Sequence, residues 1–115
     1  MGRVDAMDLT FSHDAEGRPV AAAAPGKSSE TNDLAAFLTE EVHWPHYAAL
    51  LLEQAAADPV GPAATATGNA YAVTFDTDIV TIEHLHIPKR KPIRLARTDF
   101  VAMMTAWRVH LEAGA

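Results

Sequence analysis

Apolar and polar residues alternate along this chain with two different periods, and the places where the period changes mark the elements. Leu9 and Phe11 alternate with Asp8, Thr10 and Ser12, the period-two pattern of a half-buried strand. Asp14-Ala15-Glu16-Gly17 then supplies turn chemistry, since Gly17 tolerates positive φ and the Asp14 side chain can hold a local backbone amide. A return strand over residues 18–23 follows, with Pro19 suited to a sheet edge. Residues 25–31 read as an exposed connector.

Leu34, Phe37, Leu38 and Val42 recur at helical spacing, with Thr31 or Asn32 as the N-cap and Asp33 in the first turn. Glu40 and Glu41 read as a solvated helix end. Pro45 interrupts the pattern, because a proline drives the residue before it out of helical geometry. A second helix starting at Pro45 puts Tyr47, Ala48, Leu51 and Ala55 on one face. Residues 58–69 hold two prolines and two glycines and are expected to form a mobile loop.

Beyond that loop, Tyr71, Val73 and Phe75 alternate with Ala72 and Thr74, and a second alternating run covers Ile79 to His86. A tight hairpin around Thr77-Asp78 sets Phe75 opposite Val80, Val73 opposite Ile82 and Tyr71 opposite His84. Ile79, Leu85 and Ile87 then fall on the second face, where a bare surface would form a dimer contact. Ile93 and Leu95 suggest a short further strand. Thr98 caps the last helix, in which Phe100, Met103, Met104, Trp107 and Leu111 make a continuous apolar stripe. Together these elements predict an α+β fold, with an antiparallel sheet of four to five strands (N-terminal hairpin plus C-terminal meander) and about three helices packed over one face.

A length of 115 residues fits one domain with a single core. The chain has no cysteine, which excludes disulfides, thiolate nucleophiles and cysteine-rich zinc sites. With no run of about 20 apolar residues and no signal-like N-terminus, a cytoplasmic protein without membrane contact is expected.

Charge changes the picture more. Residues 1–88 carry 13 acidic and 3 basic side chains, whereas residues 89–115 carry 2 acidic and 6 basic ones. Lys89, Arg90, Lys91, Arg94 and Arg97 are therefore the candidate partner-binding set, with another protein as the expected partner. Nucleic acid is disfavoured, because the acidic remainder would repel a polyanion and no aromatic residue is interleaved for base stacking. His84 and His86, two apart on a strand, share a face as metal ligands must, but no third ligand is fixed by the sequence. Ser12-His13-Asp14 has the letters of a triad, yet neighbours on a strand point apart. No phosphate-binding glycine loop is present, and no cofactor is implied. The expectation is a non-catalytic protein-interaction module, either a monomer or a homodimer. The alternatives are an immunity or inhibitor protein that neutralises a toxin enzyme through its acidic surface, and a metal-binding or enzymatic domain using His84 and His86.

Several segments in order resemble the YacL family of small uncharacterised bacterial proteins. They are Met7-Asp8-Leu9-Thr10-Phe11 with Asp14 and Gly17, Phe37 with Glu40-Glu41-Val42, and Glu53-Gln54-Ala55-Ala56. Gly68-Asn69-Ala70-Tyr71, Asp76-Thr77-Asp78-Ile79-Val80, Asp99-Phe100 and Ala106-Trp107-Arg108 complete the set. The resemblance covers most of residues 7–112. It implies that Met7 begins the domain, with residues 1–6 a disordered extension and residues 7–115 the single α+β domain. The basic turn around Lys89 to Lys91 departs from the acidic character of that region in the family, and the family supplies no activity.

Overall fold

A computed structural model describes residues 3–4, 9–23, 29–56, 64–67, 70–87 and 91–113. In chain order the elements are β1 (Arg3–Val4), β2 (Leu9–His13), β3 (Pro19–Ala23), α1 (Ser29–Glu41), α2 (Pro45–Ala56), β4 (Ala64–Thr67), β5 (Tyr71–Phe75), β6 (Ile79–His84), β7 (Ile93–Ala96) and α3 (Arg97–Ala113). The fold is α+β, but its strands form two antiparallel sheets where one was expected: β1-β2-β3 and β4-β5-β6-β7. Arg3–Val4, in the stretch read as an extension, pairs with Leu9 and Thr10.

A contact from α1 accompanies the separation of the sheets. The Thr39 hydroxyl on α1 accepts a hydrogen bond from the Ala21 N–H at 2.9 Å and donates to the Ala21 carbonyl at 3.2 Å. These backbone groups of β3 are thereby occupied by a helix side chain and closed to a further strand. Ala64–Thr67 is a strand, not the loop expected of residues 58–69, and pairs with β5 from Ala64↔Phe75 to Thr67↔Ala72. Its Ala-Thr-Ala-Thr sequence alternates, but alanine contributes little to strand formation by itself. The remainder of that expected loop lies outside the described residues.

At the β2–β3 turn, Gly17 has φ +81°, the left-handed region that favours glycine. The Asp14 carboxylate accepts from the backbone N–H groups of Glu16 and Arg18 and from the Arg18 guanidinium. Helix α1 begins at Ser29, ahead of the Thr31 or Asn32 cap expected. Strand β7 runs into α3 without a loop, so Thr98 lies in the first turn of that helix and is not its cap. The start of α2 at Pro45 and its buried Ala48, Leu51 and Ala55 match the sequence pattern.

One core joins both sheets and all three helices. All five stripe residues of α3 are buried and meet Tyr71, Val73, Phe75, Val80 and Ile82 within it. Phe11 packs edge-on to Trp107 with ring centroids 4.9 Å apart, tying the first sheet to α3. Burial at about 25 cal/mol per Å² of apolar surface is the main source of stability. No buried side-chain nitrogen or oxygen among the described residues lacks a hydrogen-bond partner.

Candidate functional site

The β5–β6 hairpin has the register expected from its pattern, Tyr71↔His84, Val73↔Ile82 and Phe75↔Val80, closed by the Asp76 N–H to the Ile79 carbonyl at 2.9 Å. Side chains alternate across a strand, so this register also defines the opposite face. Thr65, Thr74, Thr81 and Arg94 form one row across β4 to β7, through the pairs Thr65↔Thr74, Thr74↔Thr81 and Thr81↔Arg94. The Thr65 and Thr74 hydroxyls approach to 3.3 Å. Glu83, two residues beyond Thr81, shares the outward side of β6 with Ile79.

This outward face is less polar than a solvated sheet surface needs to be. Ile79 is 40% exposed, and past the strand Leu85 and Ile87 are 45% and 40% exposed. Arg94 is exposed on the face and Lys91 is exposed just before β7. Neither has a hydrogen bond or ion pair with the described residues. Lys89 and Arg90, the other centre of the expected basic patch, lie outside the described residues.

Arg97 does not belong to that patch. Its guanidinium reaches inward, donating to the Gln54 carbonyl at 3.1 Å, to the Ala55 carbonyl, and to the Asp76 carbonyl at 2.6 Å. It thus supplies a cation at the end of α2, whose last turn has no basic residue of its own. Five donors in a fixed fork suit this role, and they leave Arg97 committed to the fold.

His84 and His86 are brought together, with ring centroids 6.1 Å apart and planes 78° to each other. The His86 N–H donates to His84 Nδ1 at 3.1 Å, and the His84 ring lies edge-on to Tyr71 at 4.8 Å. No group of three or more His, Asp or Glu side chains among the described residues is arranged to hold a metal. Ser12, His13 and Asp14 do not converge: the Ser12 carbonyl meets His110 Nε2 at 2.8 Å, the His13 ring lies tilted against that of His110 with centroids 4.3 Å apart, and Asp14 is engaged in its turn.

Glu40 and Glu41 are not a solvated helix end. One Glu41 oxygen accepts from the backbone N–H groups of Ala70 at 3.0 Å and Tyr71 at 2.7 Å, while Glu40 accepts from the Tyr71 hydroxyl at 3.1 Å. Half-burial, followed by the charge of Glu41, raises the pKa of the neighbouring Tyr47 phenol. Sequence reasoning also missed a groove of about 600 Å³ between the β2–β3 turn and the α1–α2 junction, lined by Pro19, Val20, Thr39, His43 and the exposed Trp44. Trp44 beside a helix-breaking proline was the signal available for it.

No helix among the described residues is long and apolar enough to cross a membrane. No protein-family model matches the chain, and neither the curated proteins nor the solved structures contain a match to it. The resemblance to the YacL family rests on the sequence segments alone.

Proposed function

We propose that this chain is a non-catalytic protein-interaction module whose working surface is the outward face of the β4–β7 sheet together with its cationic border. One observation carries the reading: Ile79 is 40% exposed on the sheet face it shares with Arg94, a cation without a partner among the described residues, and Leu85 and Ile87 past the end of β6 are at least as exposed. Apolar side chains next to an unneutralised arginine are the components of an interface, in which the former supply area and the latter supplies orientation. Lys91 at the border favours partners that place a carboxylate there.

The test is parallel affinity capture from native lysate at low salt, with the wild type and a Lys91→Glu/Arg94→Glu variant, and identification of bound proteins by mass spectrometry. A protein held by the wild type and lost by the variant supports the reading. Identical capture by both forms overturns it, and so does capture by neither where the purified chain also stays monomeric at high concentration.

A further inference from the structure

The outward sheet face carries its own complement. Among the described residues, Glu83 and Arg94 are the charged side chains on the outward positions of β5, β6 and β7, the others being Ala72, Thr74, Ile79, Thr81 and Ala96. Arg94 is level with Thr81, and Glu83 is two residues further along β6, so the charges are diagonal neighbours on one surface. Both are exposed, and neither forms a hydrogen bond or ion pair with a described residue. The chain as a whole has a formal charge of −6, which opposes contact between copies over most of the surface. On this face one acid and one base cancel.

We propose that the occupant of this face is a second copy of the same chain, packed sheet to sheet about a two-fold axis. This inference rests on the docking-face reading above and names its partner. An axis lying in the interface and bisecting the line from Glu83 to Arg94 carries each onto the other's position in the facing copy. Two reciprocal Glu83–Arg94 pairs then form, as an isologous contact requires. A purely acidic partner would satisfy Arg94 and confront Glu83, and a purely basic one would do the reverse. A second copy satisfies both by symmetry. The threonine row keeps the centre flat, and Ile79 adds apolar area beside it.

The size of the face sets the strength. Four strands about 4.8 Å apart and about five residues long at roughly 3.3 Å each span on the order of 300 Å². A stable interface uses about 800 Å² per partner, so the dimer is weak and forms as concentration rises.

Sedimentation equilibrium of the purified chain from about 10 μM to about 1 mM at low salt tests this, with the range chosen for an interface of this size. The variants are Glu83→Arg, Arg94→Glu and the double reversal, each checked for an unchanged far-ultraviolet spectrum. The expected result is a monomer–dimer equilibrium weakened about tenfold or more by each single reversal and restored by the double reversal. A chain that stays monomeric throughout overturns the proposal, and so does a dimer indifferent to the reversals or not restored by the exchange. These outcomes are separable from the lysate capture. A monomer that still loses a captured partner on charge reversal removes the second copy and leaves the docking face.

Discussion

The indole Nε1 of Trp107 donates a hydrogen bond to the backbone carbonyl of Val42 at 2.8 Å, in a fully buried contact between residues 65 positions apart. Val42 follows the last residue of α1, where helix geometry leaves carbonyl groups without intrahelical partners. One side chain therefore fills the core and satisfies a helix end. The two roles can be separated by mutation. Trp107→Phe keeps most of the ring but orphans the carbonyl, and is expected to cost about 1–3 kcal/mol. Trp107→Ala is expected to cost about 3–5 kcal/mol. Urea unfolding midpoints of the two variants against wild type measure the difference; a Trp107→Phe midpoint equal to that of wild type would show that the hydrogen bond contributes nothing.

Arg97 and Arg94 are expected to behave oppositely despite being three residues apart. Arg97→Ala removes the guanidinium from the carbonyls of Gln54, Ala55 and Asp76 and should destabilise by roughly 2–3 kcal/mol, since hydrogen bonds to charged donors are worth more than neutral ones. Arg97→Lys should recover only part of this, because an ammonium group cannot fork across two elements. Arg94→Glu should change stability by about 1 kcal/mol or less. Thermal unfolding of the three variants decides whether the division holds.

The Glu41 carboxylate bridges the end of α1 to the start of β5 through two backbone N–H groups. Glu41→Ala leaves both donors without that acceptor and should cost about 1–3 kcal/mol. Glu40→Ala, which removes only the bond from the Tyr71 hydroxyl, should cost about 1 kcal/mol. Hydrogen exchange at the Ala70 and Tyr71 amides gives a local readout: Glu41→Ala should accelerate both, and Glu40→Ala should leave them nearly unchanged.

Acid should loosen the β2–β3 turn through Asp14. The hydrogen bond from the Arg18 backbone N–H outweighs the opposing effect of desolvation and, with the bonds from the Arg18 side chain and the Glu16 backbone, holds its carboxyl below the usual aspartate value. A folded-state pKa below the unfolded one gives stability that is fully present above the unfolded value of about 3.9. That contribution is lost as pH falls through the lower, folded value. Asp14→Asn should flatten this part of the profile. Denaturation midpoints between pH 2 and 6, compared for the two proteins, provide the check, and parallel curves would dissociate the turn from acid sensitivity.

How far the fold was legible depended on how local its cause was. The α3 stripe from Phe100 to Leu111 is a repeat within one element, and every member is buried. The β5–β6 register was legible because a loop of two residues leaves the strands one way to align. Strand β4 was not, since Ala64–Thr67 has little apolar contrast and depends on β5 for its partner. The division into two sheets was equally hidden, and the contact that accompanies it takes Thr39 to a backbone 18 residues away. Of the expected interface, Lys91 and Arg94 are exposed, whereas Arg97 is withdrawn into the fold.

By itself, the sequence determined the periodic elements, the hairpin register and the apolar faces that must be covered, because each follows from the spacing of neighbouring side chains. Only the tertiary structure decided what the charged residues do. Arg94 occupies an outward position of a pleated strand, where it has no hydrogen-bond or ion-pair partner among the described residues. Arg97 begins α3, where the end of α2 and the β5–β6 turn converge on its guanidinium. The spacing of side chains along a chain encodes which face they share, but not which backbone carbonyls will be carried to them by elements 20 to 43 residues distant.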